Sequence, residues 1–211
     1  DEVLAEKLPA ILGGLRFEKT MRWDATQTSF SRPVRWIVAL HGEHVVPLGF
    51  AGLQAGRITR LLRFSEPEMV ELDSARGYLE AMEASGIVLD PSERRAKIRE
   101  RAQSLAEEVG GSIPDDPALL EEVTGLVERP TALRGTFDES FLSLPRAVLV
   151  TAMRVHQRYF PVEREGKLLP YFITVRNGGD EHLDTVARGN DCLLYTSDAA
   201  DELDGVDLGG R

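Results

Sequence analysis

Apolar residues recur at spacings of three and four along several segments of the chain, which is the pattern of amphipathic helices. The first segment runs from Val3 to Leu12, and its helix is predicted to end at Gly13 and Gly14. The most regular segment, DPSERRAKIRERAQSLAEEVGG at 90–111, is predicted to be capped by Ser92. Its inward stripe is predicted to consist of Ile98, Ala102, Leu105 and Val109.

Shorter helical patterns follow at four other places. Their predicted starts are a cap at Asp73 or Ser74, the segment before Leu126, Pro145 and Asp180. The Pro145 helix belongs to LPRAVLVTAMRVHQRYFPV (144–162) and is predicted to run into a strand. If that helix is regular, His156 lies on the same face as Leu149, Ala152 and Met153.

Alternation of apolar and polar residues predicts the strands. In FSRPVRWIVALHG (30–42), one strand is predicted with Val34, Trp36, Val38 and Leu40 on one face, and its partner is HVVPLGF after a turn at Gly42. Further strands are predicted in GRITRLLRF (56–64), EMVEL (68–72), Leu126–Leu133, YFPVER (159–164) and YFITVRN (171–177). The irregular alternation of helices and strands indicates a mixed α/β or α+β fold.

Composition and charge narrow the class of protein. The 211 residues include a single cysteine, Cys192, which excludes an internal disulfide and fits a reducing, cytoplasmic location. No apolar run approaches the roughly 20 residues of a membrane helix, and the acidic start does not resemble a signal peptide. Because Asp1 stands where an initiator methionine is expected, we interpret the chain as an internal piece of a longer one.

The net charge is −10, from 25 basic and 35 acidic residues. Residues 191–211 hold six acidic residues against one arginine, a local net charge of −5, so residues 1–190 also carry −5. Such a chain is not a general polyanion binder, although a local basic face is compatible with RNA binding.

Motifs of well-defined chemistry are absent from the sequence, including the phosphate-binding loop, the dinucleotide fingerprint, paired CxxC and the nucleophile elbow. His41 and His44 form a conceivable zinc pair, but no third ligand is evident and water-facing turn histidines are the favoured interpretation. No catalytic, cofactor or metal residue is therefore predicted.

The remaining candidates are contact residues for RNA or a partner. They are Arg57, Arg60, Arg63, Arg154, His156, Gln157, Arg158 and Tyr159. For the three arginines of RITRLLR, a ladder facing phosphate and a solvated strand face are equally favoured. For His156, a partly buried position at a helix C-terminus is favoured over a contact role. Packing is favoured over base stacking for the aromatic residues Tyr159, Phe160, Tyr171 and Phe172. A solvated face is favoured over nucleic-acid binding for the arginines of 90–111.

Four segments together resemble the β subunit of bacterial glycyl-tRNA synthetase, and the likeness extends from about residue 1 to Asn190. They are MRWDATQTSFSRPVRWIVALHGEHVVP, GLQAGRITRLLRF, LLEEVTGLVERPTALRGTFDESFLSLPRAVLVTAMRVHQRYFPV and GKLLPYFITVRNG. The resemblance implies a heterotetramer of two α and two β subunits that attaches glycine to tRNA-Gly with ATP and Mg²⁺. The α subunit carries the chemistry, whereas the β subunit mainly binds tRNA and supports assembly, so no ATP or glycine site is expected here.

The resemblance also implies a B3/B4-like region at 1–190, with a mostly antiparallel sheet and flanking helices. Two subdomains are possible within it, a sheet-rich one at 14–72 plus 124–180 and a helical one at 73–123. Two departures stand out: Leu61 and Leu62 replace the usual Gly-His pair, and the tail from about Asp191 resembles translated sequencing adapter. We therefore expect residues 191–211 to be non-native or disordered.

Three functions follow from these observations. The first is a fragment of the tRNA-binding and assembly subunit, with the α subunit, tRNA-Gly and the remainder of the β subunit as partners and no membrane. The second is a purely structural module in which HQRYF anchors one domain or subunit against the next. The third is a hydrolytic editing-like domain, which rests on the B3/B4 resemblance alone.

Overall fold

A computed structural model describes residues 2–63, 65–181, 183, 185 and 189. The chain forms two compact units, Asp1–Ser85 (unit 1) and Gly86–Arg211 (unit 2). The tail 191–211 and most of the helix predicted at 180–190 lie outside the described residues. The predicted grouping of 14–72 with 124–180, and the B3/B4-like assignment, stay predictions.

In residues 2–63 and 65–85, unit 1 shows one N-terminal helix, seven short strands and a second helix. Their bounds are α1 Glu2–Gly14, β1 Ile37–Val38, β2 Leu40–His41, β3 His44–Val45, β4 Gly49–Phe50, β5 Leu53–Gly56, β6 Ile58–Arg60, β7 Met69–Glu71 and α2 Ala75–Ala84. Strands β1, β5 and β4 form one sheet in that order, while β2 pairs with β3 and β6 with β7. The β1–β5 pair is parallel, and the other pairs are antiparallel.

The single strand predicted across 30–42 is divided into β1 and β2, because the chain changes partner at Ala39. The Ala39 N–H donates to the Gly56 carbonyl (3.4 Å), while the Ala39 carbonyl accepts from the Val46 N–H (2.9 Å). The predicted turn at Gly42 is confirmed, with a φ of 61° that glycine adopts without a steric penalty. Ser74 caps α2 as predicted, since its hydroxyl accepts from the Gly77 N–H.

The described part of unit 2 places three α-helices, a 3₁₀ turn and a π-helical turn around a three-stranded sheet. Their bounds are α3 Pro91–Glu107, α4 Pro117–Leu126, β8 Pro130–Thr136, the 3₁₀ turn Glu139–Ser143, α5 Arg146–Thr151, the π-helical turn Ala152–Gln157, β9 Phe160–Arg164 and β10 Lys167–Asn177. The sheet order is β8–β10–β9, and both pairs are antiparallel. With the sheets of unit 1 this confirms a mixed α+β fold with mostly antiparallel pairing.

Two predicted boundaries in unit 2 are wrong. Asp90, not Ser92, caps α3: its carboxylate accepts from the Ser92 N–H (2.7 Å) and the Glu93 N–H (3.0 Å), with Pro91 at the first helical position. The strand predicted near Leu126–Leu133 begins only at Pro130, because α4 continues to Leu126.

The larger core of unit 2 lies between the sheet and helices α3 and α4. The predicted stripe of α3 is confirmed for Ile98, Ala102 and Leu105, which are buried with Ala106. They pack with the buried residues Leu119, Leu120, Val123, Val127, Ala132, Phe160, Val162 and Ile173. Val109 is only partly buried because α3 ends at Glu107.

A second core lies around Phe172 of β10, which is completely buried. Its ring stacks on Tyr159 with a centroid distance of 4.4 Å and an interplanar angle of 6°. Phe172 is paired across the sheet with Gly135 of β8, and a Cβ added at Gly135 would collide with the Phe172 ring. The aromatic pair therefore requires glycine at position 135.

We predict that Gly135→Ala lowers the free energy of unfolding by about 1–3 kcal/mol, because the added methyl group overpacks the Phe172 ring. Urea unfolding of the chain measures this change. Gly125→Ala in α4 is the matched control: its Cβ meets nothing within 4 Å. Helix propensity predicts that this control gains up to about 1 kcal/mol. Equal stabilities of the two variants would contradict the packing account.

The Asp90 cap predicts a pH-dependent stability. The N–H groups of Glu93 and then Ser92 lower the pKa of the Asp90 carboxyl below its ordinary 3.8. Since the folded-state pKa is the lower one, the cap stabilises above the unfolded-state pKa and is lost as the pH falls through the folded value. Wild type is therefore expected to be more stable than Asp90→Ala at about pH 7. The difference between their free energies of unfolding is expected to shrink below about pH 3.

Urea unfolding at both pH values measures the difference. Asp90→Asn is the control, because an asparagine side chain caps a helix comparably without titrating. If the free energies of unfolding of wild type and Asp90→Ala differ by the same amount at both pH values, the role of the ionised carboxylate is contradicted.

Candidate functional site

Basic charge is concentrated in one segment of unit 1. Residues 15–63 hold eight lysines and arginines against three acidic residues, a net charge of +5, so the rest of the chain carries −15. The basic residues are Arg16, Lys19, Arg22, Arg32, Arg35, Arg57, Arg60 and Arg63. Of these, only Arg57, Arg60 and Arg63 are predicted contact residues. A count of charges over successive windows of the sequence identifies the other five.

The loop between α1 and β1 carries five of these cations on exposed positions. An isolated bridge between Met21 and Phe30 closes the loop, with N–H to carbonyl distances of 2.9 and 3.2 Å. Phe30 also meets Phe17 and Phe50 edge-on, at centroid distances of 4.8 and 5.8 Å. The aromatic side chains thus hold the loop, whereas its cations face outward.

Arg32 and Arg35 are exposed members of this set. They lie two and five residues after Phe30 of the bridge. Within the described ranges, no carboxylate lies at ion-pair distance from either guanidinium. Both are therefore available to an external anion.

Arg57, one of the predicted contact residues, has an internal role. Its guanidinium donates to the carbonyls of Leu72 (3.1 Å), Asp73 (3.4 Å) and Glu43 (3.1 Å). These bonds tie the start of β6 to the end of β7 and to the turn between β2 and β3. Arg57 is partly buried, and its donors are directed to backbone oxygens of unit 1.

Arg60 and Arg63 are both exposed, in contrast to Arg57. Arg60 lies with its Cζ 5.6 Å from the centre of the Trp36 ring and pairs with Glu68 at 3.2 Å. The intervening residue Leu62, in the pair that replaces Gly-His, is buried in the core of unit 1. The three arginines thus do not form one ladder, because the backbone directs Arg57 inward.

A pocket of about 370 Å³ lies beside Trp36, within unit 1. We call it the Trp36 pocket; its lining residues are Trp36, Val38, Leu40, Thr59, Ala75 and Tyr78. Of the predicted common face of Val34, Trp36, Val38 and Leu40, the last three share this lining, even though β1 and β2 belong to different sheets, whereas Val34 does not line the pocket. Trp36 remains 44% exposed, whereas Thr59 is buried.

The HQRYF segment forms a tight chain reversal in unit 2. The π-helical turn Ala152–Gln157 ends at Arg158, whose φ of 56° is left-handed. The Arg158 Nε donates to Glu122 of α4 (2.8 Å), and Arg154 forms an ion pair with Asp116, the cap of α4. Both arginines are thereby directed to carboxylates of the same unit.

The predicted partial burial of His156 is wrong, since the residue is exposed. The wider π-helical turn changes the rotation per residue, so His156 no longer shares the buried face of Leu149, Ala152 and Met153. Its predicted place at the end of a helix is confirmed. Gln157 is half-buried in the same turn.

Tyr159 is buried at 3% exposure against Phe172, so its ring is not presented to an external base. Phe160 is also buried, which confirms packing as the role of these aromatic residues. Tyr171 is half-buried, with the Arg134 Cζ 5.8 Å from its ring centre. The candidates at 57–63 and those at 154–159 belong to different compact units.

The arginines of α3 also make internal contacts. Arg94 donates to the carbonyls of Thr124 (2.9 Å) and Val88, and Arg95 pairs with Glu121. The predicted pair Glu93–Lys97 is confirmed at 2.7 Å. Arg99 and Arg101 are exposed.

The described part of the chain contains neither a cluster of three potential metal ligands nor a helix that could cross a membrane. His41 and His44 are exposed cross-strand neighbours in β2 and β3. Across the described ranges, no group of three or more His, Cys, Asp or Glu side chains is placed to hold a metal ion. Within that same part of the chain, every helix is too short or too polar to cross a membrane.

Unit 2 contains a second, smaller pocket of about 200 Å³ between α3, α4 and β9. Its wall is mainly apolar and includes Ile98, Leu120 and Phe160, with Asp115 and Asp116 at one side. Asp116 is already engaged by the Leu119 N–H (3.1 Å) and by Arg154. This carboxylate therefore serves α4 and the π-helical turn.

Comparisons with known proteins agree on one family. The family described as "Glycyl-tRNA synthetase beta subunit" matches residues 1–199, which includes the first nine residues of the tail. Relatives are the glycine–tRNA ligase β subunits of Shouchella clausii (48% identity over 94% of this chain), Moorella thermoacetica (46% over 91%) and Bacillus subtilis (44% over 90%). The matched region covers 28–29% of each relative.

All of these relatives are subunits of an aminoacyl-tRNA synthetase. The chain belongs to the glycyl-tRNA synthetase β subunit family. The resemblance inferred from the MRW, RPVRW and HQRYF segments is thereby confirmed. The chain spans less than a third of the length of the curated relatives it matches.

The contacts of Arg57 predict a structural role that its neighbour Arg60 lacks. Arg57→Ala is expected to lower the free energy of unfolding by about 1–3 kcal/mol, because it removes three hydrogen bonds to backbone carbonyls, of which the one to Leu72 is partly buried. Arg60→Ala removes an exposed ion pair and is expected to cost less than about 1 kcal/mol. Urea unfolding of the two variants measures the difference, and a larger loss for Arg60→Ala would contradict the assignment.

Proposed function

We propose that the chain is part of the tRNA-binding and assembly subunit of a glycine–tRNA ligase, and that it supports attachment of glycine to tRNA-Gly. In this proposal the chemistry, with ATP and Mg²⁺, takes place on the α subunit in the cytoplasm. The chain acts together with the α subunit and the remainder of the β subunit. The observation that carries the proposal is the concentration of basic residues in segment 15–63, most of them exposed, within an acidic chain.

The charge distribution favours RNA over other partners of this segment. Polynucleotide backbones attract Lys and Arg side chains and release counterions on binding. Guanidinium groups also bind phosphate oxygens through two hydrogen bonds. Because the rest of the chain has a net charge of −15, it repels the same polyanion and confines binding to the basic segment.

The contacts of the predicted residues change the set that we assign to this role. Arg60 and Arg63 stay in the proposed contact set, and the exposed loop cations Arg32 and Arg35 join them. Arg57 and Tyr159 leave the contact set because of their internal roles.

Contacts around the HQRYF segment favour a structural role within unit 2. Arg158 of this segment pairs with Glu122 of α4, and the preceding Arg154 pairs with Asp116, the cap of α4, which favours holding unit 2 together over binding phosphate. A contact role for His156 and Gln157 stays a prediction. The hydrolytic editing-like function also stays a prediction.

The test of RNA binding is the double variant Arg32→Ala/Arg35→Ala in the complete α and β subunit assembly. Loss of two phosphate contacts is expected to weaken tRNA-Gly binding about tenfold at roughly 0.1 M salt. The slope of log affinity against log salt concentration should become shallower by about 1.5–2. Filter binding over a salt series measures both quantities.

The matched control is Arg99→Ala/Arg101→Ala, which removes the same charge from exposed positions of α3. We expect this variant to keep wild-type tRNA affinity and salt dependence. Equal effects of the two double variants would show a general charge effect and contradict the proposed interface. Unchanged affinity in the loop variant would contradict it as well.

A further inference from the structure

The Trp36 pocket combines aromatic, apolar and hydroxyl groups from three parts of unit 1. Trp36, Val38 and Leu40 come from the stretch that contains β1 and β2, Thr59 from β6, and Ala75 and Tyr78 from α2. Its volume of about 370 Å³ falls within the 300–1,000 Å³ typical of small-ligand pockets. The pocket is therefore large enough for a flat ring system.

Trp36 is held in a cation–π contact with an arginine. Trp36 follows Arg35 at the end of the basic loop, and Arg60 lies over its ring. The Arg60 Cζ lies 5.6 Å from the centre of the indole ring, and Arg60 is not one of the residues that line the pocket. The cation–π contact orders an indole that is still 44% exposed.

The polar groups of the pocket are hydroxyls of Thr59 and Tyr78. Thr59 is buried and contributes a hydroxyl, which both donates and accepts hydrogen bonds. Tyr78 contributes a second aromatic ring with a hydroxyl group. The lining contains no charged side chain, so the pocket suits a neutral planar group with hydrogen-bonding edges.

We propose that the Trp36 pocket binds one unpaired base of the bound tRNA, which stacks on Trp36. This inference rests on the proposed function. Single-stranded RNA is recognised through bases that stack on aromatic side chains while cations bind the backbone beside them. Here Arg35 directly precedes Trp36 and Arg32 lies four residues before it, and these two cations supply the phosphate contacts next to the base. The basic surroundings favour an RNA base over an apolar side chain of a protein partner.

The experiment uses the complete α and β subunit assembly with tRNA-Gly. Trp36→Ala is expected to weaken tRNA binding by about 5- to 100-fold, the range for loss of one base–aromatic stack. Trp36→Phe keeps a stacking ring and should remain within about threefold of wild type. Leu79→Ala is the control, because Leu79 is exposed beside Tyr78 on α2 but does not line the pocket.

The salt series separates this inference from the proposed function. Loss of a stacked base lowers affinity without changing the slope of log affinity against log salt, whereas loss of Arg32 and Arg35 changes the slope. If the arginine variant loses affinity and Trp36→Ala does not, the pocket proposal is overturned and the proposed interface stands. If both variants bind tRNA like wild type, both proposals fail.

A second measurement keeps the proposal testable if Trp36→Ala does not fold. Wild-type assembly is irradiated with tRNA-Gly that carries 4-thiouridine at its unpaired positions, and the cross-linked peptides are identified by mass spectrometry. We expect adducts on the peptides that contain Trp36 or Tyr78. Cross-links confined to other peptides would overturn the proposal. So would a Trp36→Ala variant that keeps tRNA affinity but no longer assembles with the α subunit, because the pocket would then hold a protein side chain.

Discussion

The stack of Phe172 on Tyr159 is the contact on which the architecture of unit 2 depends. Phe172 is completely buried at the centre of the longest strand, and Gly135 opposite it leaves the space that the ring occupies. A shift of one residue in the β8–β10 register would place a larger side chain against this ring. The same stack holds the end of the π-helical turn, because Tyr159 follows Arg158 directly and its N–H donates to the Met153 carbonyl (2.8 Å).

Arginine has three distinct roles in this chain, and geometry separates them. Arg57 and Arg94 bind backbone carbonyls and connect segments of their own units. Arg154 and Arg158 neutralise carboxylates of α4. Arg32 and Arg35 lie on an exposed loop beside the Trp36 pocket. This last group combines accessible charge with closeness in sequence to Trp36, which is why the proposed RNA contact is placed there.

Local patterns predicted most helices and hairpins, but several details depended on distant residues. The turn at Gly42, the Ser74 cap and the inward stripe of α3 were correct, because each is decided within a few neighbouring positions. The predicted cap of α3 was wrong because both Asp90 and Ser92 are good capping residues. The structure has Asp90 as the cap, which places Pro91 at the first helical position, where proline is favoured. Of the candidate site, Arg60, Arg63 and the shared face of Trp36, Val38 and Leu40 were predictable, whereas the loop cations were missed.

The sequence by itself determined the family, the mixed α+β class and the approximate positions of the regular elements. These properties follow from residue order and local periodicity. Only the tertiary structure decided which arginines are accessible, because the carbonyls that bind Arg57 lie 14 to 16 residues away in the chain. It also decided that His156 is exposed and that Trp36, Thr59 and Tyr78 meet at one pocket, since both results depend on how separate segments pack.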